Sequence, residues 1–288
     1  MPEILHQDIG DVEVQYLNYS GEGPTVVMLH ATGFQPWLWH PIARELAGNF
    51  RVIAPYFCDH RIFDPEEGGL SWLLLADDLA TLISRLGIEE PLIVGHSMGA
   101  TVASIAEALT GPIASRMMLV EPIYLPSTLY DLNITVEQHP LASKSIRRRS
   151  GWSNEAEASE YLRSRKLFMD WDEEMFDLYL EHGMTKADNG ALTLACQPAR
   201  EAALFMGGME KDPWPLLENI SCPVLLVEGE KSENRAVIDL GRAASIIPNA
   251  TLQVIAGAGH LVPMEKPHEL LASILEFFGA GDVDASVQ

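Results

Sequence analysis

The chain has 288 residues, of which 47% are hydrophobic and 21% charged, with 22 glycines and 18 prolines spread along it. That composition excludes disorder, collagen-like repeats and low-complexity sequence, and the length suffices for one large core. Basic residues number 19 and acidic ones 41, a formal net charge of -22, whose field repels nucleic-acid phosphates and anionic lipid headgroups and argues against either as a partner.

The first half alternates short β-branched runs with longer helical patterns. Val12–Tyr19 reads as an exposed strand and Thr25–Leu29 as a buried one, followed by helical spacing over Trp37–Leu46. Arg51–Pro55 is a strand, Trp72–Leu86 a helix, and Pro91–Val94 a strand that runs into the small-residue helix Met98–Leu109. Arg116–Val120 closes this half with another strand. These runs are continuously apolar, as strands covered on both faces should be, and strand–helix repetition predicts a mostly parallel sheet with right-handed crossovers.

Strong strand signals then stop. Tyr124–Pro140 is irregular, Ala156–His182 carries apolar residues at helical spacings, and Ala199–Met206 is helical. Pro223–Val227 resumes the sheet, Ala236–Ile247 is a helix, Thr251–Ile255 the last strand and Pro267–Phe278 a last helix, before a small polar tail expected to fray. The expected organisation is an α/β core from residues 1–121 and 220–288, with residues 122–219 as a helical lid.

Cys58, Cys196 and Cys222 are far apart and lack a nearby histidine at ligand spacing, so neither a disulfide scaffold nor a zinc site is indicated. Met1–Gly10 has neither the basic start nor the apolar run of a secretory signal. No stretch reaches the roughly 18 consecutive apolar residues of a membrane helix. These features set the expectation of a soluble, cytoplasmic protein, monomeric or homodimeric.

The strongest local signal is Gly95-His96-Ser97-Met98-Gly99, between a buried strand and a helix. A sharp strand-to-helix turn exposes the serine hydroxyl while straining its backbone, and small flanking residues let the turn close. The helix start aims free N–H groups toward the serine, where oxyanion charge would develop. A serine needs a base, and His260, in the glycine loop Gly257–Pro263 just past the last strand, is placed to supply one. His30 is expected to order the loop after its strand, and His96 to point away from Ser97.

This arrangement resembles the α/β-hydrolase superfamily over essentially the whole chain. The resemblance is carried by LHATGF at Leu29–Phe34, GHSMGA at Gly95–Ala100, LVEP at Leu119–Pro122, PVLLVEGEKSE at Pro223–Glu233 and GAGHLVPMEKP at Gly257–Pro267. It implies an α/β-hydrolase fold with a helical cap inserted after the sixth strand, Ser97 as nucleophile and His260 as base. It also implies an oxyanion hole from the N–H groups of Thr32 and Met98. Many relatives place an aspartate where this chain has Ser232; others carry the acid one place later, which matches Glu233. Glu121, at the end of the preceding strand, is the rival, with Glu228 and Glu230 behind it. The stretch Ala54–Arg61 lacks the aspartate and glycines usual in relatives, so that loop should take another path, with Cys58 a plain loop cysteine.

A serine nucleophile implies acyl transfer to water and argues against relatives that attack with a carboxylate. The expectation is a carboxylic-ester hydrolase acting on a small apolar or mildly polar ester or lactone, without metal or cofactor. Trp37, Trp39, Tyr124, Leu125 and Met206 are candidates for an apolar acyl site, or else core packing. The alternatives are hydrolysis of a carbon–carbon bond in a β-diketone or ring-cleavage product, and a non-catalytic ligand-binding protein on the same fold. Carbon–carbon substrates of this kind are usually carboxylates, so an arginine of Arg147-Arg148-Arg149 turned into the pocket would favour that reading.

Overall fold

The computed structural model describes residues 1–57 and 59–279, so the readings of Cys58 and of the tail beyond residue 279 lie outside the described residues. Among the described residues, eleven strands and eleven α-helices follow in chain order. The first half holds strands β1 (Glu3–Asp8), β2 (Glu13–Tyr19), β3 (Thr25–Leu29), β4 (Arg51–Pro55), β5 (Leu92–His96) and β6 (Arg116–Val120). Helices α1 (His40–Leu46), α2 (Trp72–Arg85) and α3 (Met98–Thr110) connect them. After the insertion come β10 (Val224–Gly229), α9 (Leu240–Ile246), β11 (Ala250–Ile255), α10 (Val262–Glu265) and α11 (Pro267–Phe278).

Eight of these strands form one sheet in the order β1-β2-β4-β3-β5-β6-β10-β11. The pairs from β4 to β11 are parallel, and β2 joins β1 and β4 antiparallel. Side chains alternate across the pleat, so each central strand feeds two cores. Val27, Leu29, Ile93, Met117, Leu119 and Leu226 pack beneath α2 and α3. Val26, Met28, Val94, Met118, Val120 and Val227 pack on the opposite face against α1 and α11. This two-sided burial is why β3, β4 and β6 have the bounds their continuous apolar runs predict. β1 was not anticipated: it is an edge strand whose residues are mostly exposed, so no apolar periodicity marks it.

The chain between β6 and β10 is a predominantly helical insertion. It holds α4 (Ser127–Tyr130), α5 (Ala142–Arg147), α6 (Glu155–Arg163), α7 (Glu173–His182) and α8 (Pro198–Gly207). A small antiparallel sheet of β7 (Gly151–Trp152), β9 (Leu192–Leu194) and β8 (Met184–Lys186) also lies there. Strands of two or three residues are too short for periodicity to reveal, so sequence reasoning saw only helices. Phe168, Trp171, Phe176 and Tyr179 of the insertion pack with Ala31, Phe34 and Leu38 from beyond β3 and with Leu261 and Met264 from beyond β11. Those core residues all follow carboxyl ends of strands. The insertion therefore caps the sheet edge at which open α/β folds bind ligands. No helix among the described residues is long and apolar enough to cross a membrane.

Candidate active site

Ser97 sits between β5 and α3 at φ 54°, a left-handed backbone that a non-glycine residue adopts only under constraint. The constraint is visible in its neighbours. Ser97 N–H donates to Val120 O at 2.9 Å. A Cβ on Gly95 would lie 2.6 Å from Ala100 Cα, and one on Gly99 the same distance from Leu29 O. Only glycine fits at either place, and together they let the strand turn abruptly into the helix.

His260 comes from the loop between β11 and α10, and its Nε2 lies 3.2 Å from Ser97 Oγ. Beneath it, His96 Nε2 is 3.0 Å from His260 O, the ring donating its proton to that carbonyl and anchoring the loop. Burial lowers the His96 pKa to about 3, so this imidazole is neutral. His96 thus turns away from the serine, as expected, and holds the His260 loop instead, a contact the sequence did not suggest. His30 orders its loop as anticipated: its Nδ1 is 2.9 Å from Ala31 O, and its Nε2 accepts from Phe57 N–H at 3.0 Å.

The carboxylate at His260 is that of Glu121, and this corrects the expectation for Glu233. Glu121 Oε2 lies 2.9 Å from His260 Nδ1. Its two oxygens also accept from Gly229 N–H and from the Ser232 hydroxyl, each at 2.7 Å. The reason lies in the sheet. β6 and β10 are neighbours with Val120 opposite Val227, and Glu121 N–H bonds Val227 O at 2.8 Å. Glu121 therefore leaves the sheet beside the turn that follows β10, and its side chain, 2% exposed, spans to the histidine loop. Glu233 begins a short 3-10 turn, Glu233–Ala236, capped by Ser232. Its side chain is 83% exposed and paired with Lys166 of the cap at 2.5 Å. The ammonium beside it holds the Glu233 carboxyl below its usual pKa. Glu228 pairs with Arg235, and Glu230 accepts from Gly257 N–H, so neither reaches His260.

Asn234, one residue further along the turn, places its amide Nδ2 2.9 Å from the same His260 Nδ1. Nothing in the sequence singled it out, because its neighbour at the histidine is 26 residues away.

Of the two residues expected to form an oxyanion hole, Thr32 follows β3 and Met98 opens α3. Thr32 and Gly33 are the central residues of a turn closed by Phe34 N–H to Ala31 O at 3.2 Å. Gly33 has φ +79°, and a Cβ there would also meet Glu201 Oε1 at 2.3 Å. Glycine is thus required twice over, by the turn and by the cap residue pressed against it.

Glu201 brings one of the three clustered arginines inward. Arg148 Nη1 donates to Glu201 Oε1 at 2.8 Å, while its Nε and Nη2 are buried without a hydrogen-bond partner among the described residues. Burial pushes the Glu201 carboxyl up, with Arg148 opposing that shift. Arg147 is exposed, and Arg149 pairs with Glu157 and stacks over Trp152 and Tyr161.

Of the proposed apolar acyl residues, Trp39 lines a small cavity with His30, Phe34, His96 and Met264, and the others are packing residues. Tyr124 is fully buried and bonded to Ser104, and Leu125 packs at the rim of the same core. Trp37 stacks on His182 with ring centroids 3.8 Å apart. Trp39 is buried with α1, and Met206 packs with Val136, Ala142 and Ala202. The altered stretch before α2 serves the fold: His60 and Arg61 both bond Asp78, and Arg61 also reaches Asp11.

Residues 26–273 match the family described as the alpha/beta hydrolase family. The chain is 25% identical over 276 residues to 2-(acetamidomethylene)succinate hydrolase of Mesorhizobium japonicum, covering 95% of this chain and 94% of that one. It is 26% identical to 2-hydroxy-6-oxononadienedioate/2-hydroxy-6-oxononatrienedioate hydrolase 2 of Pseudomonas putida, covering 93% of each chain. A crystal structure of E-2-(acetamidomethylene)succinate hydrolase superposes with a TM-score of 0.79 at 23% identity, covering 97% of this chain and all of that one.

Proposed function

Because the chain belongs to the alpha/beta hydrolase family, we propose that it is a serine hydrolase of small organic substrates, with Ser97 as nucleophile, His260 as base and Glu121 orienting His260. The observation that carries this reading is the unbroken chain from Ser97 Oγ through the imidazole to Glu121, at 3.2 and 2.9 Å. Glu121 accepts the Nδ1 proton, which leaves Nε2 free to take the serine proton. Ser97 Oγ then bonds the substrate carbonyl carbon. The N–H groups of Thr32 and Met98 meet the oxyanion; that of Met98, at the first helical position, has no intrahelical acceptor. Collapse breaks the bond to the leaving group, which takes the proton from His260, and water repeats the sequence to free the acid and restore Ser97. A purely ligand-binding role would leave this serine–histidine–carboxylate alignment without a purpose.

Within this chemistry, a carbon–carbon bond in a carboxylated β-diketone or ring-cleavage product is favoured over a simple ester or lactone. Two observations support that choice. The two relatives act, by their names, on a substituted succinate and on a dienedioate, both dicarboxylic. Arg148 is held by Glu201, which presses against Gly33, and its buried Nε and Nη2 have no hydrogen-bond partner among the described residues; this edge of a guanidinium grips a carboxylate with two parallel bonds. Steady-state rates on matched nitrophenyl esters, lactones and β-diketones, each with and without a terminal carboxylate, test the reading. Carboxylated diketones should show the highest kcat/KM, and Arg148→Met should lower it mainly through KM. Preference for uncharged esters, with Arg148→Met indifferent, would return the assignment to an ester hydrolase.

A further inference from the structure

We infer that Asn234 is a second positioning residue for His260, sharing the Nδ1 proton with Glu121; the inference rests on the serine-hydrolase reading above. His260 Nδ1 has one site for a proton and two neighbours at 2.9 Å, Glu121 Oε2 and the Asn234 amide. A carboxylate only accepts, so the short contact to Glu121 requires Nδ1 to be protonated. Asn234 Nδ2, which lies at that 2.9 Å distance, cannot bond a protonated Nδ1, so we assign the amide the flipped orientation, with Oδ1 toward the ring. The opposite orientation would donate into an unprotonated Nδ1 and move the ring proton to Nε2. That tautomer cannot accept the proton of Ser97.

The turn that lacks an acid at position 232 therefore still serves the histidine. Ser232 Oγ donates to Glu121 at 2.7 Å and accepts from Asn234 N–H at 3.3 Å, so a single hydroxyl ties the two partners of His260 together. As proton transfer from Ser97 turns the ring into an imidazolium, both acceptors on Nδ1 strengthen, the carboxylate more than the amide. Asp is nearly isosteric with Asn. At position 234 it would put a second carboxylate within reach of the same ring nitrogen.

The test uses the full chain with 4-nitrophenyl acetate as the probe, and thermal melting to confirm folding. Asn234→Ala should lower kcat about tenfold, the scale of one lost hydrogen bond, and leave KM and the melting temperature unchanged. Glu121→Gln should lower kcat by about 10⁴-fold, because its amide NH₂ favours the wrong tautomer. Adding Asn234→Asp to Glu121→Gln should recover at least tenfold of that loss. Wild-type kcat in Asn234→Ala together with no recovery in the double variant would overturn the role of Asn234 and leave the triad standing. Wild-type kcat in Glu121→Gln would overturn the triad assignment and this inference with it.

Discussion

Two turns at the carboxyl edge of the sheet build the site by different means. The turn after β5, Gly95–Gly99, is marked locally by two glycines flanking a serine at φ 54°, although Gly99 closes on Leu29 O of β3 and Ser97 N–H on Val120 O of β6. The turn after β10, Gly229–Asn234, is defined by what arrives from elsewhere. It holds Glu121, 108 residues away from Gly229, and His260, 26 residues away from Asn234. A turn of the first kind can be read from a short motif. One of the second kind cannot, since any residue able to hydrogen-bond can be recruited when the sheet brings its partner close.

The largest expected effect lies in the first turn. Ser97→Ala removes the nucleophilic oxygen and little volume, so kcat should fall by about 10⁴-fold or more with an unchanged melting temperature. Mass spectrometry after treatment with an organophosphonate should find one adduct on the parent protein, on Ser97, and none on the variant. An adduct on another residue would break the assignment of this turn as the seat of the nucleophile.

How far each region was legible follows from the same contrast. Strands β3, β4 and β6 announced themselves because residues such as Val27 and Met28 face two different cores, making their runs continuously apolar. The elbow was legible through sterics, and His260 through its glycine loop. The acid was not. Glu121 and Glu233 both follow sheet strands, and only the adjacency of β6 and β10 puts Glu121 beside the histidine loop. The local pattern pointed to Glu233 because it looks along the chain, whereas the Ser232 cap turns Asn234 toward His260 and leaves Glu233 in solvent. In the cap, β7 to β9 escaped notice for want of length, and Arg148 stood out from its two neighbours only through Glu201.

A smaller, pH-dependent effect separates the two turns again. His96 at the elbow is held neutral by burial, with its pKa moved from 6.5 to about 3. In the unfolded chain it protonates as the pH drops below 6.5, so its stabilising contribution is full above that value and is lost as the pH falls toward 3. The loss is about 1.4 kcal/mol per pH unit for each such histidine. Burial lowers His30 in the same direction. Urea unfolding between about pH 6.5 and 5, above the usual carboxylate range, should show this slope, reduced by one proton in His96→Gln. A flat stability curve in wild type would contradict the neutral, buried assignment.

The smallest effect belongs to the solvent side of the second turn. The Lys166–Glu233 pair is more than four-fifths exposed on both sides, where water and salt screen ion pairs. Lys166→Ala should therefore leave the melting temperature in place at physiological salt, and a clear drop would show that this contact holds the cap down.

The proposed triad depends on which carboxylate serves the histidine. Its most direct test is the turnover of Glu121→Gln beside Glu233→Gln on one substrate, both folded by thermal melting. Glu121→Gln should lose about 10⁴-fold in kcat, as expected when the base is left in the wrong tautomer, and Glu233→Gln should match wild type. Loss in Glu233→Gln with Glu121→Gln active would contradict it.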